Sequence, residues 1–233
     1  MTRPLAPEVL LDRDDPIYRL RDRPSLRLGV MGGAFDPIHV AHLVTAEEAL
    51  QQFQLDEVVF MPVGTPPHKM RELAPAEFRY MLASVATAGH PHFWVSRYEI
   101  DREEVGFTVD TLEFLSRTLR PDARVFFVTG ADAVLDILTW KDTNRVLELC
   151  TLIAATRPGY DLARLAGVLE HLGPGLVGPG PDGKVWIMEV PALAISSSMI
   201  RERLASGKAA RYLVPDSVAQ LIEKTRAYGH PGG

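Results

Sequence analysis

Short apolar runs alternate with longer amphipathic segments along most of this chain. Six of these runs are five or six residues long, are rich in Val, Ile and Phe, and mostly lack the alternation of a half-exposed strand. Runs of this kind are typical of strands that are buried on both faces of a sheet. They predict strands over residues 26–31, 57–61, 93–98, 124–129, 151–155 and 185–190.

Helical spacing fills the intervals between these runs. In the first interval, Ile38, Ala46 and Phe53 recur on one face of a helix. The same reading predicts helices over residues 37–53, 75–88, 109–119, 131–138, 145–149, 161–171, 198–205 and 215–227. Alternation of strands and helices favours an α/β fold with a Rossmann-like, doubly wound parallel sheet, which here ends in a small C-terminal helical segment.

The start of the chain lies outside this pattern. Residues 1–25 are rich in proline and in charges of both signs, and they lack the apolar stretch of a secretory signal. We therefore expect a flexible N-terminal extension over residues 1–25 and a single domain over residues 26–233. The Gly/Pro-rich stretch at residues 173–183 predicts a turn-rich loop. It is not interpreted as a linker to a second domain, because only one predicted strand and two predicted helices follow it.

The composition of the chain limits the kinds of partner and the cellular compartment that we expect for it. The chain of 233 residues has 25 Lys+Arg against 30 Asp+Glu, a net charge of −5 that argues against general nucleic-acid binding. No apolar run is long enough to span a membrane. The single cysteine, Cys150, cannot form an internal disulfide, so we expect a cytoplasmic protein. The sequence leaves open whether the chain forms a homo-oligomer.

The first candidate site follows the first predicted strand, where residues 32–42 read GGAFDPIHVAH. Two glycines allow a tight turn and close approach to a ligand. We expect Asp36 to cap the next helix and Pro37 to take its first position, which puts His39 and His42 on one face near the helix N-terminus. That terminus favours an anion, and the carboxyl ends of strands are where open α/β sheets bind ligands.

Other interpretations of the histidines carry less weight. A lone histidine is more often structural, but two on one face behind a Gly-Gly turn are harder to explain that way. A zinc site is not supported, because the chain has no H-E-x-x-H and no other histidine pair with ligand spacing. The common nucleotide fingerprints G-x-G-x-x-G and G-x-x-x-x-G-K-[ST] are also missing, so a phosphate site here has another design.

A second candidate is ISSSMIR at residues 195–201. A serine cluster before a helix ordinarily supplies the N-cap. Arg201 in a first helical turn would face the positive end of the helix dipole, and an anion bound between Arg201 and the serines would reverse that effect. Arginine is common on helix surfaces, so this signal is weak by itself.

Two further segments hold polar residues after predicted strands. Lys69 ends the proline-rich segment PVGTPPHK and offers a charge for phosphate, although a rigid loop with a solvated lysine is equally compatible. Asp132 follows the fourth strand and suits either a helix cap or a hydrogen bond to a sugar. Trp140 is nearby in sequence, and a tryptophan is more often part of the core than of a ligand site.

Together these segments resemble the bacterial nicotinate mononucleotide (nicotinate-nucleotide) adenylyltransferases, of the H-x-G-H nucleotidyltransferase superfamily. The similarity extends over residues 27–228. Seven matches occur in the family's order: GGAFDPIHVAH, PPHK, TVDT, GAD with a downstream tryptophan, RPGY, ISSSMIR and YLVPDSV. Ala34, Ala41 and Ser198 replace the family's Thr, Gly and Thr, and residues 106–108 read GFT where SYT is more usual.

The resemblance implies a reaction and a set of ATP-binding residues. ATP and nicotinate mononucleotide would give nicotinate adenine dinucleotide and pyrophosphate, by direct in-line attack on the α-phosphorus. His39 and His42 would contact the ATP phosphates. Arg201, with Ser197 and Ser198, would hold the β- and γ-phosphates. Mg²⁺ would be bound mainly through the phosphates. The nucleotide-binding turn would be formed by the backbone of Gly32, Gly33 and Phe35.

The resemblance also implies an acceptor site. Trp140 would stack on the nicotinate ring, and Asp132 would bond a ribose hydroxyl. Backbone N–H groups would receive the nicotinate carboxylate, which favours the acid over its amide. Lys69 would add positive charge near a phosphate. The residues that supply the N–H groups are Thr108, Val109 and Lys141.

Three alternatives stay open at this point. A phosphopantetheine adenylyltransferase shares the two phosphate motifs, but such chains are shorter and lack the TVDT, GAD and RPGY segments. A nucleotide-binding regulator without turnover has no need of His39, His42 and Arg201 together. A plain α/β domain of unknown role requires all seven matches to be coincidental.

Overall fold

The computed structural model describes residues 14–65, 73–102, 104–171, 184–191 and 193–229. Within them, six strands form one sheet in the order β3-β2-β1-β4-β5-β6, and every neighbouring pair is parallel. This is the doubly wound Rossmann-like order, so the predicted fold class is confirmed. The strands are β1 (Arg27–Gly33), β2 (Glu57–Pro62), β3 (Phe93–Val95), β4 (Arg124–Gly130), β5 (Thr151–Thr156) and β6 (Val185–Glu189).

Helices cover both faces of the sheet, and each face has its own apolar core. One core is formed against α2, α3, α8 and α9, and the other against α1, α4, α5, α6 and α7. Strand residues alternate between the two cores, with Val59 in one and Phe60 in the other. The helices are α1 (Pro16–Leu20), α2 (Val40–Gln52), α3 (Ala76–Thr87), α4 (Thr108–Thr118), α5 (Ala131–Leu135), α6 (Thr143–Leu149), α7 (Leu162–Glu170), α8 (Ser197–Ala205) and α9 (Asp216–Thr225).

The strand order reverses between β1 and β4, and this positions the ligand site. From β1 the chain winds outward to β2 and β3, and from β4 it winds outward on the other side to β5 and β6. The loops that follow β1 and β4 therefore leave the sheet on opposite sides and open a crevice between them. GGAFDPIHVAH begins with the last two residues of β1 and GAD begins with the last residue of β4, so both motifs lie at this crevice.

Two predicted elements are shorter than the sequence pattern indicates. The strand predicted over residues 93–98 ends at Val95. Ser96 N still donates to the Phe60 carbonyl of β2 at 3.0 Å, but Tyr98 N donates to the Ser96 hydroxyl at 3.1 Å instead of continuing the strand ladder. The helix predicted over residues 131–138 ends at Leu135 and is followed by a 3₁₀ turn, Ile137–Thr139.

Within the N-terminal extension predicted over residues 1–25, the described residues 14–25 include a short helix that packs on the domain. Asp15 caps the short helix α1 by accepting from Ile17 N at 3.0 Å, and it also accepts from the Ser96 hydroxyl at 2.9 Å. Ile17 is fully buried in the core beside α4. A single helical turn is too short to produce a recognisable apolar period, and the prolines and charges around it are typical of loops.

The predicted start of α2 is also wrong. The helix begins at Val40 with His39 as its N-cap, so Pro37 is not its first residue and Asp36 does not cap it. Instead, Asp36 Oδ1 accepts from Ala74 N at 3.4 Å, and the Asp36–Pro37 bond is cis. The chain thus leaves β1 through a short loop before α2 starts.

Some predictions fall outside the described residues. These include Lys69 and the whole of the loop predicted over residues 173–183. In the part of the chain that the structure covers, no helix is long and apolar enough to cross a membrane.

Candidate active site

A cavity of about 590 Å³ opens at the carboxyl ends of β1 and β4, in the size range of small-molecule sites. Its lining combines polar groups with apolar side chains from β4, β5 and the segment after β6. The predicted site residues among its lining are Gly32, His39, His42, Asp132 and Ser197.

His39 and His42 form a stacked pair at the start of α2. Their ring centroids are 3.7 Å apart, and the backbone N–H of His39 donates to Nδ1 of His42 at 3.1 Å. The ring of Phe35 meets His42 edge-on at 5.1 Å. Ala41 lines the cavity beside them, so its methyl group, absent from the family's glycine, lies at the edge of the ligand volume.

Both histidines are neutral near pH 7. Burial, and secondarily the charge of Arg157, lower the pKa of His39 to about 4. Burial, and secondarily His39, hold the pKa of His42 well below its usual value of 6.5. Because Nδ1 of His42 accepts a hydrogen bond, its proton is on Nε2. The pair therefore offers neutral N–H donors rather than fixed positive charges.

The ISSSMIR segment joins α8 to the loop after β1. Ser196 is the N-cap of α8, as a serine cluster predicts, and it accepts from Met199 N at 3.2 Å. Ser197 donates to the carbonyl of Pro37 at 2.9 Å. These bonds hold the start of α8 against the loop that precedes the histidine pair.

Arg201 does not lie in the first turn of α8, where the sequence pattern predicted it. It is the fifth residue of α8 and so lies beyond the first turn. Its guanidinium donates to the Asp36 carbonyl at 2.5 Å and to the Ser198 hydroxyl at 2.9 Å. The side chain lines an adjacent cavity rather than the main one.

The glycines of the first motif are closely packed against aromatic rings. A Cβ on Gly32 would lie 3.2 Å from the ring of Phe127, and one on Gly33 would lie 3.3 Å from the ring of Phe35. Phe35 itself is buried and has a left-handed backbone (φ 47°). Of these three residues, Gly32 lines the cavity, while Phe35 supports His42 from behind.

Asp132 lies at the rim of the cavity, on the second residue of α5. The N-cap of α5 is Gly130, so Asp132 does not cap the helix. Its carboxylate accepts from the Tyr160 hydroxyl at 3.3 Å. The side chain is exposed and lines the cavity, where it can accept a hydrogen bond from a sugar.

The predicted acceptor residues lie together but outside the lining of the main cavity. Thr108 and Val109 begin α4, where the first N–H groups have no carbonyl partner within the helix. Lys141 joins them from the segment before α6: its Nζ is 3.2 Å from Asp110 Oδ1 and 4.5 Å from the centre of the Phe107 ring.

Trp140, next to Lys141 in sequence, is partly buried. Its ring lies edge-on to Phe127, with centroids 6.1 Å apart. One edge of the side chain packs on the core, and part of it remains exposed.

Sequence reasoning missed three arginine and tyrosine positions. Arg157 and Tyr160, of the RPGY segment, line the cavity from the loop after β5. Arg79 of α3 is 1% exposed and donates to the carbonyls of Ala34 at 2.7 Å and Val63 at 2.6 Å, which tie together the loops after β1 and β2. RPGY was recognisable as a motif without a role, whereas an arginine in an amphipathic helix ordinarily indicates a solvated surface.

Metal binding by the protein alone is not supported by the described residues. They contain no group of three or more His, Cys, Asp or Glu side chains that could hold an ion. Asp132 is a carboxylate in the cavity lining, which fits a divalent ion that takes most of its ligands from phosphate oxygens and water.

Residues 30–203 match the Cytidylyltransferase-like family. With the parallel sheet and the cavity at its reversal point, this match defines the chain as a nucleotidyltransferase of the Rossmann-like class. The chain is 48% identical over 207 residues to a Moorella thermoacetica protein named "Probable nicotinate-nucleotide adenylyltransferase", covering 88% of this chain and 93% of that one. A Streptomyces coelicolor protein of the same name is 50% identical over 199 residues, covering 85% and 98%. The chain belongs to the nicotinate-nucleotide adenylyltransferase family, the nucleotidyltransferases of NAD biosynthesis.

Solved structures support the fold independently. The Plasmodium falciparum nicotinic acid mononucleotide adenylyltransferase complexed with NaAD gives a TM-score of 0.70 at 19% identity, covering 88% of this chain and 98% of that one. The structure of the same enzyme complexed with APC gives a TM-score of 0.69 at 18% identity, with the same coverage. At this identity the likeness establishes the shared architecture.

Proposed function

We propose that this enzyme transfers the adenylyl group of ATP to nicotinate mononucleotide, giving nicotinate adenine dinucleotide and pyrophosphate. The observation that carries the proposal is the neutral, stacked pair of His39 and His42 at the reversal point of the sheet. It occurs in a chain that is 48% identical to a protein named for this reaction.

The chemistry requires no general base. The second pKa of a phosphate monoester is about 6, so the 5′-phosphate of the mononucleotide is mostly a dianion at neutral pH. One of its oxygens attacks the α-phosphorus of ATP in line, the bond from that phosphorus to the β-bridging oxygen breaks, and pyrophosphate leaves. The protein has to orient two anions and stabilise the charge that develops between them.

On the ATP side, Nε2–H of His42 donates to an α-phosphate oxygen, and His39 contacts the phosphates beside it. Neutral donors suit this task, because they stabilise oxygen charge without exchanging a proton with the phosphate. Arg201, with Ser197 and Ser198, contacts the β- and γ-phosphates as pyrophosphate departs. Support comes from the bonds that hold these residues against the loop before the histidines. The backbone around Gly32, Gly33 and Phe35 forms the turn beneath the nucleotide.

On the acceptor side, the start of α4 receives the nicotinate carboxylate. The N–H groups of Thr108 and Val109 have no helix partner, and Lys141, whose Nζ lies 3.2 Å from Asp110 Oδ1, is proposed to add its backbone N–H. An amide in place of the carboxylate would turn an NH₂ group toward these donors, which disfavours nicotinamide mononucleotide. Trp140 stacks on the pyridine ring, and Asp132 bonds a ribose hydroxyl.

A divalent ion, Mg²⁺ by preference, accompanies the ATP phosphates. When bound it neutralises negative charge on the phosphoryl oxygens, and Asp132 is the nearby carboxylate able to contact it or its water. Lys69, outside the described residues, keeps its proposed role of adding positive charge near a phosphate. We also propose that the enzyme works in the cytoplasm, since its cysteine is buried and unpaired with any other.

Pyrophosphate release tests the assignment of the acceptor. With ATP and Mg²⁺, we expect turnover on nicotinate mononucleotide at least tenfold faster, in kcat/KM, than on nicotinamide mononucleotide, and none on phosphopantetheine. Fast turnover on another acceptor would keep the phosphate chemistry and reject the roles of Thr108 and Trp140. If folded protein that binds ATP releases no pyrophosphate with any of the three acceptors, the chain would instead be a nucleotide-binding regulator.

A further inference from the structure

A second cavity, of about 660 Å³, lies behind Arg201 on the side of the sheet that carries α3 and α9. Asp36, Arg201, Thr225 and Tyr228 contribute polar groups to its lining, and Phe78 contributes an aromatic ring. Asp36 and Arg201 belong to the two phosphate motifs. Tyr228 belongs to neither, and it comes from the end of the described chain.

The chain after α9 turns back sharply to bring Tyr228 to this position. Arg226 and Tyr228 both have left-handed backbones (φ 52° and 60°), a conformation that is unfavourable for a residue with a side chain. The 3₁₀ turn at Ala227–Gly229 contacts α8, and the Tyr228 ring lies 6.2 Å from the ring of Phe78. Tertiary contacts therefore hold the chain end against the helix that carries Arg201.

The Tyr228 hydroxyl is buried, and no described neighbour meets it in ordinary hydrogen-bond geometry. Burial raises the pKa of this hydroxyl above its usual value of 10, and the nearby Asp36 carboxylate raises it further; Arg79 and Arg201 act in the opposite direction. A neutral phenol next to a carboxylate can only serve it as a donor. Asp36 itself is 1% exposed, so water has little access to replace that donor.

Asp36 in turn fixes Arg201. One guanidinium nitrogen of Arg201 donates to the Asp36 carbonyl at 2.5 Å and lies 3.9 Å from Asp36 Oδ2. The other guanidinium nitrogen donates to Ser198 at 2.9 Å. Any shift of Asp36 thus reorients the arginine that the proposed mechanism directs at the departing phosphates.

We propose that Tyr228 is a positioning residue for adenylyl transfer: its hydroxyl supports the Asp36 side chain, and Asp36 holds the Arg201 guanidinium in its phosphate-binding orientation. This inference rests on the proposed function for the role of Arg201. It assigns to the C-terminal turn a task in ATP binding, although Tyr228 itself does not touch the nucleotide.

Tyr228→Phe tests the hydroxyl while keeping the ring against Phe78, and Tyr212→Phe is its matched control because Tyr212 is 81% exposed. Calorimetric titration with ATP and Mg²⁺, without acceptor, should give a Kd three- to tenfold higher for Tyr228→Phe and unchanged for Tyr212→Phe. KM for nicotinate mononucleotide should change less than twofold. A general loss of structure would instead weaken both substrates.

Combination with Arg201→Lys separates positioning from packing. If Tyr228 acts through Arg201, Tyr228→Phe should change the ATP Kd less than twofold in the Arg201→Lys background. The same factor in both backgrounds, or an effect no larger than that of Tyr212→Phe, would overturn the inference. The proposed function fails if the wild-type enzyme transfers nothing to nicotinate mononucleotide. Because the ATP titrations need no acceptor, they test the role of Tyr228 even in that case.

Discussion

His42→Ala is expected to lower kcat by about 10²–10³-fold, the usual effect of removing one preorganised donor to a developing oxyanion. The substitution removes the Nε2–H donor and also the acceptor for His39 N, so His39 loses the partner that fixes its backbone. Quench-flow or coupled pyrophosphate assays at saturating ATP measure the change. KM for nicotinate mononucleotide should move far less than kcat, since His42 is assigned to the α-phosphate.

Two controls accompany this variant. His171→Ala removes an exposed histidine at the end of α7 and should leave kcat within about twofold of wild type. Circular dichroism should show that His42→Ala is folded. If folded His42→Ala retained kcat within about threefold of wild type, the assignment of His42 to the α-phosphate would be wrong.

Arg79→Met is expected to destabilise the fold by about 3–5 kcal/mol. Arg79 is buried, and its guanidinium donates to the carbonyls of Ala34, Val63 and Ala74, which belong to three different loop segments. Methionine keeps the volume but leaves these carbonyls without a donor, and each buried unpaired group costs about 1–3 kcal/mol. In a chain of this size the loss corresponds to a fall in Tm of about 10 °C.

Thermal and urea unfolding measure this loss, with Arg145→Met as the matched control. Arg145 is 47% exposed and pairs with Glu148 on the surface, so its loss should cost less than about 1 kcal/mol. Arg79→Lys should rescue only part of the stability, because one ammonium cannot reach carbonyls on three segments. Equal stability of Arg79→Met and Arg145→Met would show that the loops do not depend on this side chain.

The sheet was predictable because each of its buried strands has an apolar run in the sequence. All six strands of the described residues were predicted, since a strand buried on both faces needs a continuous apolar run that few other structures tolerate. The short helix α1 was missed, because one turn shows no period and its stability comes from Asp15 and Ile17 packing against distant residues. The start of α2 was misplaced for a related reason: Asp36 looks like a cap locally but bonds Ala74, 38 residues away.

The site was predictable as a set of motifs but not as a geometry. The sequence identified His39 and His42, yet it could not show that they stack and share a hydrogen bond that fixes the tautomer of His42. Arg79 and Tyr228 give no local signal at all, because an arginine in a helix and a tyrosine near a chain end are ordinary surface residues. Their importance arises only from burial against other segments.

The most direct test of the account is the stereochemistry of transfer at the α-phosphorus. One diastereomer of ATP carrying sulfur at that phosphorus is converted with nicotinate mononucleotide, and the configuration of the dinucleotide product is determined. A single in-line attack, with the histidines acting only as donors, predicts inversion of configuration. Retention would mean two displacements through an adenylylated side chain, and it would contradict the assignment of His39 and His42 as neutral hydrogen-bond donors.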